Sequence, residues 1–125
     1  MGRGPGDDSP DGGHFGVRRP LRFLAYKLGL DEKQVAELAR VLDELKTERA
    51  QGAVDDRRTL SDFADALSGE TFDAGKAGAG GDRRVESARK LRDAIVRSLG
   101  QIHAILNPEQ RTRLAYLIRT GVLVV

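Results

Sequence analysis

The chain contains no cysteine and no tryptophan, and aromatic residues make up only 5% of its 125 positions. Without thiols it can form no disulfide, no thiolate metal site and no cysteine nucleophile. No apolar run approaches the ~20 residues that cross a bilayer as a helix, and the N-terminus lacks the hydrophobic segment of a signal peptide. There is no P-loop, no dinucleotide-binding glycine pattern after a strand, no His-Glu-x-x-His and no Gly-x-Ser-x-Gly. The glycines of Gly75 to Gly81 follow no predicted strand and lack the Gly-Lys-Ser/Thr ending of a phosphate cradle. The expectation is therefore a protein that is not an enzyme.

What is present suits helices that meet along seams. The hydrophobic fraction of 39% permits a modest core, and Val, Ile and Leu carry most of it. Residues 1–19 read as a disordered leader rich in Gly, Pro and Asp, and residues 20–125 as one helical domain. A short helix is predicted from Pro20 to Leu28. Leu21, Leu24, Ala25 and Leu28 share one of its faces, and Gly29 can close it in a left-handed conformation. Phe23 and Tyr26 lie off that stripe.

Val35, Leu38, Leu42 and Leu45 then recur at helical spacing, and the phase resumes at Leu60, Phe63 and Leu67. We read one long helix from 32 to 67, with Gly52 as the place where it could kink or break. Ser68-Gly69-Glu70-Thr71 supplies a stop and a turn, with Thr71 or Asp73 as the next cap. Ala74 to Gly81 holds four glycines and is expected to be weakly helical or frayed. From Asp82 onward Val85, Ala88, Leu91, Ile95, Leu99, Ile102 and Leu106 trace an apolar stripe. A last helix runs from Pro108 to about Arg119, with Leu114, Leu117 and Ile118 buried and Gly121 as its stop. Two long helices joined by so short a turn form an antiparallel hairpin. The net charge of +2 hides an asymmetry that favours this pairing. Residues 31–82 carry 13 acidic and 7 basic side chains, whereas residues 83–125 carry 3 acidic and 9 basic ones.

One pattern occurs twice. Leu30-Asp31-Glu32-Lys33-Gln34 and Leu106-Asn107-Pro108-Glu109-Gln110 each read Leu, Asp or Asn, two variable residues and Gln, and each is followed three residues later by Leu-Ala. Each is a helix start in which Asp31 or Asn107 caps free amides and Gln34 or Gln110 reaches back, a capping box. Pro108 falls at the first helical position, where its missing N–H costs nothing. On these residues, over roughly 20–120, the chain resembles the Spy/CpxP family of envelope proteins, whose hallmark is a duplicated Leu-Thr-x-x-Gln motif shared with metal-sensing and zinc-binding cousins. Asp31 and Asn107 stand where the hallmark has Thr, and either can cap in its place.

The resemblance implies an all-α hairpin with short flanking helices that assembles as a cradle-like homodimer. It also implies a periplasmic location, with an export signal or anchor lost from this chain; if the chain is complete, the cytoplasm is the expectation. The implied function is ATP-independent, chaperone-like binding of unfolded or partly folded polypeptides under envelope stress. Arg57, Arg58, Leu60 and Phe63 in the first arm are the candidate client-binding residues, with hairpin packing and solvation as their ordinary roles. A second implied function is sensing or binding of zinc, copper or nickel through His14 and His103. A packed or hydrogen-bonded structural role is the alternative for His103, and plain tail for His14. A third is a purely structural helical dimerisation module.

Runs such as Arg83-Arg84 and Arg89-Lys90-x-Arg92, with a pI near 9.2, attract polyanions. No helix-turn-helix or aromatic platform accompanies them, so nucleic acid is not an expected partner. The carboxylates of Glu37, Asp43, Glu44, Glu48, Asp55 and Asp56 read as a solvated helix face.

Overall fold

In the computed structural model, residues 18–125 are described. Among them are four helices: α1 (Arg18–Leu28), α2 (Glu32–Ser68), α3 (Ala74–Ile105) and α4 (Pro108–Arg119). The expected leader, His14 included, lies outside the described residues except for Arg18 and Arg19, which open α1 two residues earlier than predicted. The two long helices pack against each other as a hairpin. Its antiparallel sense is visible in the cross-helix pairs. Asp56 pairs with Arg84, Asp62 with Arg83 and Asp65 with Lys76, so positions rising along α2 meet positions falling along α3. No helix among the described residues is long and apolar enough to cross a membrane.

The chain divides into two compact units. The first combines the residues up to Lys46 with Ile95–Val125, and it holds almost all of the large buried side chains. Leu24 and Leu28 of α1, Leu38, Val41, Leu42 and Leu45 of α2, Ile102 of α3, Leu106, and Leu114 and Leu117 of α4 form its core. Leu123 is buried with them where its N–H bonds back to the Leu117 carbonyl at 3.0 Å. Each such leucine contributes about 1.5–3 kcal/mol of burial relative to an exposed one. Gly29 adopts φ +65°, and the Leu30 N–H reaches the Ala25 carbonyl at 3.1 Å, the six-to-one bond that closes a helix in a left-handed cap. Gly121, at φ +82°, ends α4 as the sequence indicates.

The second unit, Thr47–Ala94, contains the hairpin turn and has a different interior. Its buried apolar residues are Ala66 and Ala94, accompanied by Thr59 and Gly80. Along α2 the inward positions continue at strict seven-residue spacing through Gly52, Thr59 and Ala66, and along α3 through Gly80, Ser87 and Ala94. The α2 helix runs unbroken through Gly52, as the single long helix expected there, and an added Cβ at Gly52 would stand 3.8 Å from Ser87 Oγ. Three expectations change. The glycine-rich stretch 74–81 is helix, started by Asp73, whose carboxylate accepts the Lys76 N–H at 3.0 Å. Val85, Ala88 and Leu99, expected inside, are exposed. Leu60 and Leu67 are exposed as well.

The physical reason is the size of the seam. Helices that approach through Gly, Ser, Thr and Ala leave no room between them for a row of large side chains, so those rotate outward. Gly80 shows how close the approach is: an added Cβ would lie 3.0 Å from Phe63 Cε1 and 3.1 Å from Asp62 Cβ. At Gly78, two residues earlier, it would meet nothing within 4 Å. Gly78→Ala is therefore expected to stabilise the protein by up to about 1 kcal/mol through helix propensity. Gly80→Ala is expected to destabilise it by about 1–3 kcal/mol through overpacking. Urea denaturation of the two variants reads the difference in sign.

Candidate functional site

The two repeated motifs meet. Both form complete capping boxes. The Gln34 N–H donates to Asp31 Oδ1 at 2.8 Å while Gln34 Oε1 accepts from the Asp31 N–H at 3.0 Å. Asn107 and Gln110 repeat the arrangement at 2.8 and 3.0 Å, with Asn107 in extended conformation at φ −83° and ψ 171° and Pro108 in the first turn. The two glutamine side chains then bond each other. Gln34 Nε2 donates to Gln110 Oε1 at 2.8 Å, and Gln110 Nε2 donates to Gln34 Oε1 at 3.2 Å.

The remaining donors reach helix ends. Gln34 Nε2 also bonds the Ile105 carbonyl at 3.0 Å, and Gln110 Nε2 lies 3.3 Å from the Leu28 carbonyl and 3.4 Å from that of Gly29. Each amide therefore caps the start of its own helix, bonds its counterpart, and satisfies the last carbonyls of the helix before the other motif. This set needs donors and acceptors on one planar group, which explains glutamine at both positions. A glutamate would offer oxygens to carbonyls. Leu106 is buried and Leu30 half-buried, each directly before the capping residue of its motif. Sequence reasoning found both boxes and missed that they bond each other. The only available signal was the identity of the third residue, since Glu caps a helix as well as Gln.

Arg57, Arg58, Leu60 and Phe63 lie in the second unit. Arg57, Arg58 and Leu60 are exposed, whereas Phe63 is half-buried, lies close to Gly80 and has the Arg84 guanidinium 5.4 Å from its ring centre. None of the four lines the groove of about 340 Å³ in this unit, which is formed by Arg49, Gly52, Asp55, Asp56, Thr59, Arg84 and Ser87 together with Ala88 and Leu91. Thr59 is 0% exposed and its hydroxyl has no hydrogen-bond partner. An unpaired buried hydroxyl of this kind costs about 1–3 kcal/mol. Arg84 spans the groove edge to Asp56 at 3.1 Å, and Arg83 bonds the mostly buried Asp62 at 3.0 Å. Further along α3, the Arg89 guanidinium holds the Glu86 carboxyl below the usual carboxylate range by direct hydrogen bonding, and Glu86 in turn raises Arg89.

His103 is exposed, and its backbone carbonyl accepts from Arg111 Nε at 2.9 Å. Among the described residues no three of His, Cys, Asp and Glu gather as metal ligands would. His14 lies outside those residues. The carboxylates Glu44, Asp56 and Asp43 are exposed, as the sequence suggests, while Glu37, Glu48 and Asp55 are half-buried.

Four helices among the described residues, with two Leu-x-x-x-Gln starts joined through their glutamines, define a class by architecture. Residues 17–117 match the LTXXQ motif family of proteins, and the chain belongs to that family, the one that includes Spy/CpxP and ZraP-like periplasmic proteins. No curated protein and no solved structure matches the chain.

The clamp makes a specific thermodynamic prediction. Gln110→Ala leaves the Leu28 and Gly29 carbonyls and the Gln34 amide short of partners, and is expected to cost about 1–3 kcal/mol. Gln34→Ala removes the same mutual bonds from the other side. A double-mutant cycle by chemical denaturation is expected to give a coupling of about 0.5–3 kcal/mol, and additive losses would show that the two amides act independently.

Proposed function

We propose that this chain is an ATP-independent, chaperone-like protein that holds unfolded or partly folded polypeptides in the bacterial envelope. The observation that carries the reading is the outward turn of large apolar side chains in the second unit. Leu60, Leu67, Phe72 and Val85 are 53%, 73%, 62% and 70% exposed. Leu60 and Leu67 are seven residues apart and so lie on one side of α2, with the exposed Arg57 three residues before Leu60 on the same side. Exposed apolar groups interspersed with cations offer weak, adaptable contact to many unfolded chains, with charge attraction acting over a longer range. No nucleotide site or catalytic group is needed for this. Membership of a family of periplasmic proteins supports the location. In the same reading the working form is a homodimer, which sedimentation measures directly.

The test is suppression of aggregation of a chemically denatured client, without nucleotide or metal. The wild-type chain is expected to reduce light scattering at low molar ratio. A Leu60→Ser, Leu67→Ser double variant, folded by circular dichroism, is expected to lose most of that effect. No suppression with several unrelated clients would sink the proposal.

A further inference from the structure

The first unit carries a second surface that the tip does not account for. Helices α1 and α4 pack against each other, and among their described side chains are five cationic ones, Arg22, Lys27, Arg111, Arg113 and Arg119, against a single acidic one, Glu109. A groove of about 450 Å³ lies on these helices, lined by Lys27, Thr112, Arg113, Tyr116 and Leu117. The apolar part of its lining comes from Leu117, which is buried, and from the Tyr116 ring, which is 62% exposed. The charged part comes from Lys27 and Arg113, and no carboxylate is among the lining residues. Glu109 approaches Arg113 only to 3.7 Å, and both side chains are more than half exposed. Lys27 pairs with no carboxylate among the described residues. Its ammonium lies 5.8 Å from the Phe23 ring centre and 6.0 Å from that of Tyr26.

We infer that this groove binds an acidic polypeptide segment, seating an aliphatic or aromatic side chain against Tyr116 and Leu117 and placing neighbouring carboxylates at Lys27 and Arg113. Charge complementarity selects the occupant. Two cations beside an apolar lining, with no carboxylate in the groove, favour an anion attached to an apolar group and disfavour a basic or neutral segment. The volume lies near the lower end of the ~300–1,000 Å³ usual for ligand pockets, so it suits a few side chains and not a folded surface. A segment bound this way resembles an anchor in a pocket with a charged rim. A bilayer is the less suitable partner, because the apolar lining here is recessed into a groove whereas an interfacial helix presents a continuous apolar face. The inference concerns a different surface from the exposed residues of the tip, and it stands or falls separately from the chaperone reading.

The test is fluorescence anisotropy with a fluorescein-labelled peptide of repeating Glu-Phe-Asp-Leu, compared with one of repeating Lys-Phe-Lys-Leu, using the full chain. The acidic peptide is expected to bind in a salt-dependent manner and the basic one is not. A Lys27→Glu, Arg113→Glu double variant is expected to weaken binding by roughly tenfold or more. Tyr116→Ala is expected to weaken it without a change in charge, which separates a groove from a diffuse positive field. Arg97→Glu, at an exposed cation of α3 that lines neither groove, is expected to bind the acidic peptide like wild type. Equal binding of the two peptides, or full affinity in the groove variants, overturns the inference. So does binding to phosphatidylserine vesicles that is lost in the same variants while the acidic peptide is ignored, which assigns the surface to lipid.

Discussion

The exchange of hydrogen bonds between Gln34 and Gln110 is the constraint on which the first unit depends. Four helix ends converge there: the starts of α2 and α4 and the finishes of α1 and α3. Every such end leaves backbone groups that its own helix cannot satisfy, and burying them unpaired is expensive. Two primary amides resolve the problem together, because each offers two donors and an oxygen with two lone pairs. The buried leucines around the clamp then gain their stability without orphaned backbone beneath them. Replacing the hallmark threonine by Asp31 and Asn107 leaves this intact, since the residue at that position needs only an oxygen directed at the third amide of its helix.

Each unit is stabilised internally by different physics. The first has a leucine core. The second approaches through Gly52, Thr59, Ala66, Gly80, Ser87 and Ala94, with ion pairs along its flanks. Exposed pairs contribute only about 0–1 kcal/mol each, so these select the partner face more than they secure it. The better protected Asp62 with Arg83 is the strongest candidate for a larger share. Few buried apolar contacts and an unpaired Thr59 hydroxyl are the marks of a segment that opens locally at lower free energy than a leucine core. A surface that must adapt to many partners belongs on such a segment.

Much of this was legible in the sequence, for reasons that can be named. Helix starts were read from Asp31 and Asn107, stops from Gly29 and Gly121, and the hairpin from the short turn between two long periodic stretches, because these are local signals. The sign of charge on each arm also anticipated the observed pairs between acidic α2 and basic α3. The burial pattern departs from expectation between Leu45 and Ile102 and agrees again from Ile102 through Leu117. A search for large apolar residues followed Val85 and Leu99, whereas the actual seam is written in small residues that carry little hydropathy. The glycines of 74–81 were read as breakers for the same reason; one of them, Gly80, is there to let α2 come near. The groove on α1 and α4 was invisible because Lys27 and Arg113 are 86 positions apart in the chain, and no local pattern relates them.

The clamp also has a bearing on the order in which the chain can assemble. Gln34 and Gln110 are separated by 76 residues, and a flexible loop of that length has to give up considerable freedom before a few hydrogen bonds can form. The turn after Ser68 closes over only a handful of residues, and two unbroken helices lead from it back to Glu32 and on to Ile105. Pairing of those helices next to the turn shortens the loop of loose chain that the clamp has to close. A short turn between two long helices can therefore serve as the entropic shortcut for a contact between residues 76 positions apart in the chain.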